Sequence, residues 1–229
     1  MLQYSQNKYT PREDMMKKVE SVLFDFDGTL CDSQNFIHKS FCVTLETHNL
    51  SFPSWEEFLE TCHGTALVEA YQALTGRDNV QDLCKTHRAF QNEHARAVGL
   101  FSGVRETLTH IQRLGIRMAI VTNRGNAVHE TLAHTDIARF FETVRNVENA
   151  GGLQKPHPRM LFDALAYMDT DPSCAIMVGD MREDIEAGKA AGMNTVVAVS
   201  YGFTGKRITE HNPDHVIHDI HELLEILKT

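Results

Sequence analysis

The sequence predicts an α/β fold: a doubly wound parallel sheet interrupted by one inserted helical domain. Three observations carry the prediction. Short runs of Val, Ile, Leu, Met and Ala recur along the chain, bounded by turn-forming residues, and read as buried strands. Stretches with apolar residues at helical spacing separate those runs, and such alternation implies parallel strands covered on both faces. A single stretch of about 65 residues, 33–99, breaks the alternation by carrying helices and no strand.

Residues 1–17 are polar and read as an N-terminal arm, with no apolar run of the kind a secretory signal needs. The first strand is expected over 19–26, where VESVLFDF runs into Asp27-Gly28-Thr29. Helical periodicity then falls at 36–47, 55–62, 67–74 and 80–97, with Trp55 assigned to the core of this insertion. The alternation resumes with a helix at 104–114, a strand at 116–122 (IRMAIVT), a helix at 127–134 and a weaker strand at 141–144. A helix at 158–167, strands at 175–178 (AIMV) and 195–199 (TVVAV), and helices at 182–191 and 220–227 complete it. An insertion after the first strand stands where open parallel sheets bind ligands, at the carboxyl ends of their strands. The expected organisation is a Rossmann-like core built from 18–32 and 100–229, with 33–99 as a helical cap over a site and hinges at its two flanks.

Composition narrows the function. The chain has 229 residues, 42% of them apolar, which supplies a core and excludes wholesale disorder. Against 31 Asp+Glu stand 22 Lys+Arg, a net charge of −9. Nucleic acid and anionic membrane repel such a surface, so neither is expected as a partner. No stretch approaches ~18 consecutive apolar residues, the length of a membrane span. Cys31, Cys42, Cys62, Cys84 and Cys174 stand without a CxxC pair, which reads as reduced thiols in the cytoplasm and not as a disulfide or zinc framework. His215, His218 and His221 are spaced to share a helix face, although a solvated surface is the simpler reading.

Four chemical signals fall at strand ends. Asp25 and Asp27 flank Phe26 just before Gly28, which permits a sharp turn. A carboxylate there can attack phosphorus, and a second can protonate a leaving oxygen and then deprotonate water. Alone, the same pair is two solvated turn aspartates. Thr122-Asn123 offers a hydroxyl and an amide to phosphate oxygens, or merely opens a turn. Lys155, before Pro156, can neutralise a phosphoryl group, or lie on the surface. Asp180 and Asp184, at a strand-to-helix junction, can hold a hard cation through oxygen and can equally cap the helix.

Taken together and in this order, DFDGTLCDS, VTN, KPHP and VGDMREDIEAGKAAGM make the chain resemble the haloacid dehalogenase-like hydrolases from about residue 19 to 227. The ending, from Tyr201-Gly202-Phe203 onward, is similar to that of phosphoglycolate phosphatase-like members, which carry a small helical cap. The resemblance implies that Asp25 is the nucleophile and Asp27 the general acid and base. It implies that Asp25, the Asp27 backbone carbonyl and Asp180 hold Mg²⁺, with Asp184 bound through water or orienting those ligands. Thr122 and Lys155 then bind phosphate, assisted by the backbone N–H groups of Asn123 and Gly28. Met181 stands where many members have Ser or Thr. Family dehalogenases lack the second aspartate, because halide leaves without a proton, so Asp27 implies a phosphate ester.

The implied reaction is hydrolysis of a small phosphorylated metabolite through an aspartyl-phosphate. A sugar phosphomutase keeps the same two aspartates and is the alternative; a non-catalytic binding protein on this fold is the third reading. Within the insertion, His63-Gly64-Thr65 is expected either to face substrate or to be an ordinary connector. Arg124 is expected to meet a second anionic group of the substrate, or to lie on the surface where a helix opens. Arg77, Arg88 and Arg96 are further candidate anion contacts among which the sequence does not choose. Members of the family are monomers or homodimers, and either state is expected here.

Overall fold

A computed structural model describes residues 18–62 and 65–228. The arm expected at 1–17 and the candidate loop residues His63 and Gly64 lie outside the described residues. In chain order the elements begin with β1 (Ser21–Phe24), β2 (Cys31–Asp32), α1 (Gln34–Thr47), α2 (Trp55–Thr61), α3 (Leu67–Thr75), α4 (Gln81–Glu93) and β3 (Gly99–Leu100). They continue with α5 (Val104–Arg113), β4 (Arg117–Thr122), α6 (Ala127–Thr135), β5 (Thr143–Asn146), α7 (Arg159–Tyr167) and β6 (Ala175–Gly179). The chain closes with α8 (Arg182–Ala190), β7 (Thr195–Val199), β8 (His215–Ile217) and α9 (Leu223–Ile226).

The strands form a parallel sheet in the order β5-β4-β1-β6-β7-β8. Side chains alternate across it, as the two-residue period of a strand requires. Val22, Phe24, Met118, Ile120, Ile176 and Val178 pack on one face. Leu23, Ala119, Val121 and Met177 pack on the other. Burial on both faces explains why these strands read as unbroken apolar runs. From β1 the chain moves outward through β4 and β5, then returns to β6 on the opposite side of β1. That reversal opens a crevice at the carboxyl ends of β1, β4 and β6.

The insertion has an apolar centre of its own, built on Phe41, Leu45, Phe58, Tyr71 and Leu83. Its helices carry local signals: Ser54 accepts a hydrogen bond from the Glu57 N–H at 3.2 Å, and Gly76 ends α3 at φ +66°. Where hinges are expected, β2 and β3 pair antiparallel, Cys31 with Leu100 and Asp32 with Gly99. Both connections to the core therefore pass through one short ribbon.

Several expectations are corrected. The helix expected over 80–97 stops at Glu93; the Ala95 carbonyl, free of the helix, accepts from Thr131 of α6 at 3.2 Å. The helix expected over 220–227 is a 3-10 turn, Ile220–Glu222, followed by α9. Strand β8 was not expected, because only Ile217 of its three residues is buried and no alternation shows. It also removes the shared helix face of the histidines: His215 lies in β8, His218 contacts the Ser200 hydroxyl, and His221 lies in the 3-10 turn against Asp219. Trp55 is 38% exposed at the start of α2 and rests edge-on against His38, so it is not core. The five cysteines are unbridged. Among the described residues no helix is long and apolar enough to cross a membrane.

Candidate active site

The crevice gathers residues from three strand ends and two loops. Asp25 follows β1 and keeps its backbone in the sheet, its N–H donating to the Val178 carbonyl at 2.8 Å. The chain then turns at Gly28, whose φ is +81°, a region that only glycine enters freely. A Cβ at this position would stand 2.3 Å from Asp180 Oδ2, so the turn also makes room for a carboxylate.

Lys155 organises the centre. Its Nζ donates to Asp25 Oδ1 at 2.5 Å, to Asp184 Oδ1 at 2.6 Å and to the Val121 carbonyl at 2.8 Å, which uses all three ammonium protons. Asn123 fixes the backbone of that lysine: its Oδ1 accepts from the Lys155 N–H and its Nδ2 donates to the Lys155 carbonyl. The Asn123 side chain is thus spent on joining two loops. Thr122 lines the cavity, and its hydroxyl oxygen accepts from the Arg124 N–H at 3.0 Å.

Asp180 is fully buried; Oδ2 accepts from the Phe203 N–H at 2.7 Å and Oδ1 from the Thr29 hydroxyl at 3.2 Å. Asp184 accepts at Oδ2 from the N–H groups of Asp180 and Met181, which caps α8. The capping reading of this aspartate therefore holds, and its other oxygen is paired with Lys155. Oxygens of Asp25, Asp180 and Asp184 lie within 4.8 Å of one another.

These groups perturb one another strongly. Burial, opposed by Lys155 and reinforced by Asp184, pushes the Asp25 carboxyl up to about 7. Burial, with Asp25 and Asp184 beside it, raises Asp180 well above the usual carboxylate range. Burial alone would lower Lys155, but the Asp184 and Asp25 carboxylates outweigh it and raise it. Three buried carboxylates against one ammonium leave a formal excess of two negative charges. Buried charge is costly unless it is paired. An all-oxygen donor set with that excess fits a hard dication such as Mg²⁺.

Arg124 is buried, not on the surface. Nη1 donates to Asp27 Oδ1 at 3.0 Å, and the guanidinium lies 5.5 Å from the Phe36 ring centre and 5.8 Å from that of Phe26. Its Nε and Nη2 are buried without a hydrogen-bond acceptor, so the aromatic faces are their compensation. Of Arg77, Arg88 and Arg96, only Arg88 lines the cavity, while Arg77 pairs with Asp82.

The cavity at this centre measures 390 Å³ and reaches from Asp25 and Lys155 to Phe41, Phe58 and Leu67 of the insertion. Its lining includes His87, whose Nδ1 lies 2.8 Å from the Tyr71 hydroxyl. Sequence reasoning missed Thr29, the Phe203 N–H and His87. Thr29 sits inside the DFDGT run and could have been found there; the other two carry no local signal.

The haloacid dehalogenase-like hydrolase family profile matches residues 22–198. A pyrophosphatase PpaX from Bacillus cereus is 32% identical over 213 residues, covering 92% of this chain and 97% of that protein. Among solved structures, a predicted phosphoglycolate phosphatase from Haemophilus somnus superposes with a TM-score of 0.83 at 24% identity, covering 92% and 99% of the two chains. CbbY from Rhodobacter sphaeroides, in complex with phosphate, gives 0.81 at 21% identity over 92% and 100%. These two share the fold. The profile match across most of the chain, on top of the strand-end carboxylates and their lysine, establishes that this chain belongs to the haloacid dehalogenase-like hydrolase family.

Proposed function

We propose that this hydrolase cleaves a small phosphate monoester, with Asp25 as nucleophile and Asp27 as general acid and base. The observation that carries the reading is Lys155 held between Asp25 and Asp184, beside Asp180, at the floor of the cavity. Asp25 attacks phosphorus while the bond from phosphorus to the leaving oxygen breaks, and Asp27 delivers the proton that oxygen needs. Asp27 then takes a proton from water as it cleaves the aspartyl-phosphate, which restores Asp25 and frees phosphate. Lys155 keeps Asp25 aimed and offsets charge on the phosphoryl oxygens, with Thr122 and the Asn123 N–H beside it; the Gly28 N–H, expected to assist, instead donates to the Cys31 carbonyl at 2.8 Å, which closes the turn. Asp25, Asp180 and the Asp27 carbonyl would hold Mg²⁺, with Asp184 orienting them; the ion would supply positive charge that offsets the repulsion between two anions. The insertion, 33–99, acts as the cap that closes over the ester.

Phosphate release from an aryl phosphate should require Mg²⁺ and fall at least about 1,000-fold in Asp25→Asn, the scale reached when a nucleophile is removed. Parental activity in a folded Asp25→Asn variant would sink the assignment. Pyrophosphate is the second reading, supported by the name of the Bacillus cereus relative at 32% identity.

A further inference from the structure

The cavity is larger and more apolar than phosphate alone requires. Its 390 Å³ falls within the usual span of small-molecule sites, about 300–1,000 Å³. Away from Asp25, one side of it is apolar, formed by Ile37, Phe41, Phe58, Leu67 and Val68. Phe41 and Phe58 are in ring contact with each other, and both belong to the apolar centre of the insertion, so this wall is preformed.

The two buried cations of the lining already have carboxylate partners. Lys155 is held by Asp25 and Asp184, and Arg124 by Asp27. Among the described residues the remaining lining cation is Arg88, exposed and sharing a small adjoining cleft with Glu148. His87 adds no charge: burial, aided by Arg124 and Arg88, pushes it down to about 3, so it meets the cavity as a neutral ring. A carboxylate or second phosphate on the leaving group would lose its water against this wall and gain little in return. A hydrocarbon body would leave water favourably.

We infer that the leaving alcohol is uncharged and largely apolar, of about benzyl size, seated against Ile37, Phe41, Phe58, Leu67 and Val68. The inference rests on the phosphate-ester reading above and selects a substrate class within it. It sets an organic ester against both pyrophosphate and phosphoglycolate.

The test compares kcat/KM with Mg²⁺ for benzyl phosphate, methyl phosphate, phosphoglycolate and pyrophosphate. Benzyl and methyl alcohols have similar acidity, so the intrinsic chemistry is matched and the wall makes the difference. Benzyl phosphate should exceed each of the others by tenfold or more, since a single methylene in an apolar pocket is worth roughly 10–200-fold. Leu67→Gln and Val68→Asn should each lower the benzyl-to-methyl ratio about tenfold, a ratio that a general loss of folded enzyme does not move. Preference for pyrophosphate or phosphoglycolate, or a ratio unchanged in both variants, overturns the inference and leaves the hydrolase reading standing. No phosphate release from any of the four overturns the reading and the inference together.

Discussion

Lys155 shows how one side chain can settle the state of its neighbours. It satisfies its own three protons, bridges Asp25 and Asp184, and leaves the cluster of Asp25, Asp180 and Asp184 with a formal excess of two negative charges. His87 poses the opposite problem, a base kept neutral by burial. With its pKa moved from 6.5 to about 3, it contributes stability that is present above pH 6.5 and lost as pH falls toward 3. Asp25 works in the other sense: raised to about 7, it favours the folded metal-free protein as pH falls from 7 toward 3.8. A comparison between parent and His87→Gln cancels the Asp25 contribution. The amide keeps a partner for Tyr71 without titrating. The parent should lose about 3 kcal/mol relative to His87→Gln between pH 7.5 and 4.5, at about 1.4 kcal/mol per pKa unit. Urea unfolding at the two pH values measures it, and equal losses would show that His87 does not enter the folded state neutral.

At the scale of elements, the turn after β1 and the start of α8 form one device. Gly28 brings its backbone against Asp180, and Asp184 ties the N-terminus of α8 to the lysine. Gly28→Ala should cost about 1–2 kcal/mol from the left-handed backbone alone. The added methyl also displaces the Asp180 carboxylate, so Mg²⁺ affinity should fall more than tenfold. Urea melts and Mg²⁺ titration calorimetry read the two effects separately; unchanged Mg²⁺ affinity would remove Asp180 from the ion site. The β2–β3 ribbon is the element that couples insertion to core. It could not be read from the sequence because two residues a side are too few for any periodicity.

At the scale of the whole molecule, a net charge of −9 is at odds with an anionic substrate until the charges are placed. Arg124 cancels Asp27, and Lys155 cancels one of the three remaining carboxylates, so a divalent ion brings the centre to neutrality. Phosphate should therefore bind the Mg²⁺ form at least tenfold more tightly than the metal-free protein. Calorimetric titration with and without Mg²⁺ checks this, and equal affinity would count against the metal site. By itself the sequence determined the alternating sheet, the helical insertion and the carboxylates and lysine of the centre, because apolar periodicity and strand-end motifs are local signals. Only the tertiary structure decided that Arg124 turns inward to Asp27, that Asn123 clamps Lys155, and that β8 adds an edge strand beside β7. It alone placed His87 and an apolar wall over the site. Each of these joins residues far apart in the chain, and a contact of that kind leaves no local pattern.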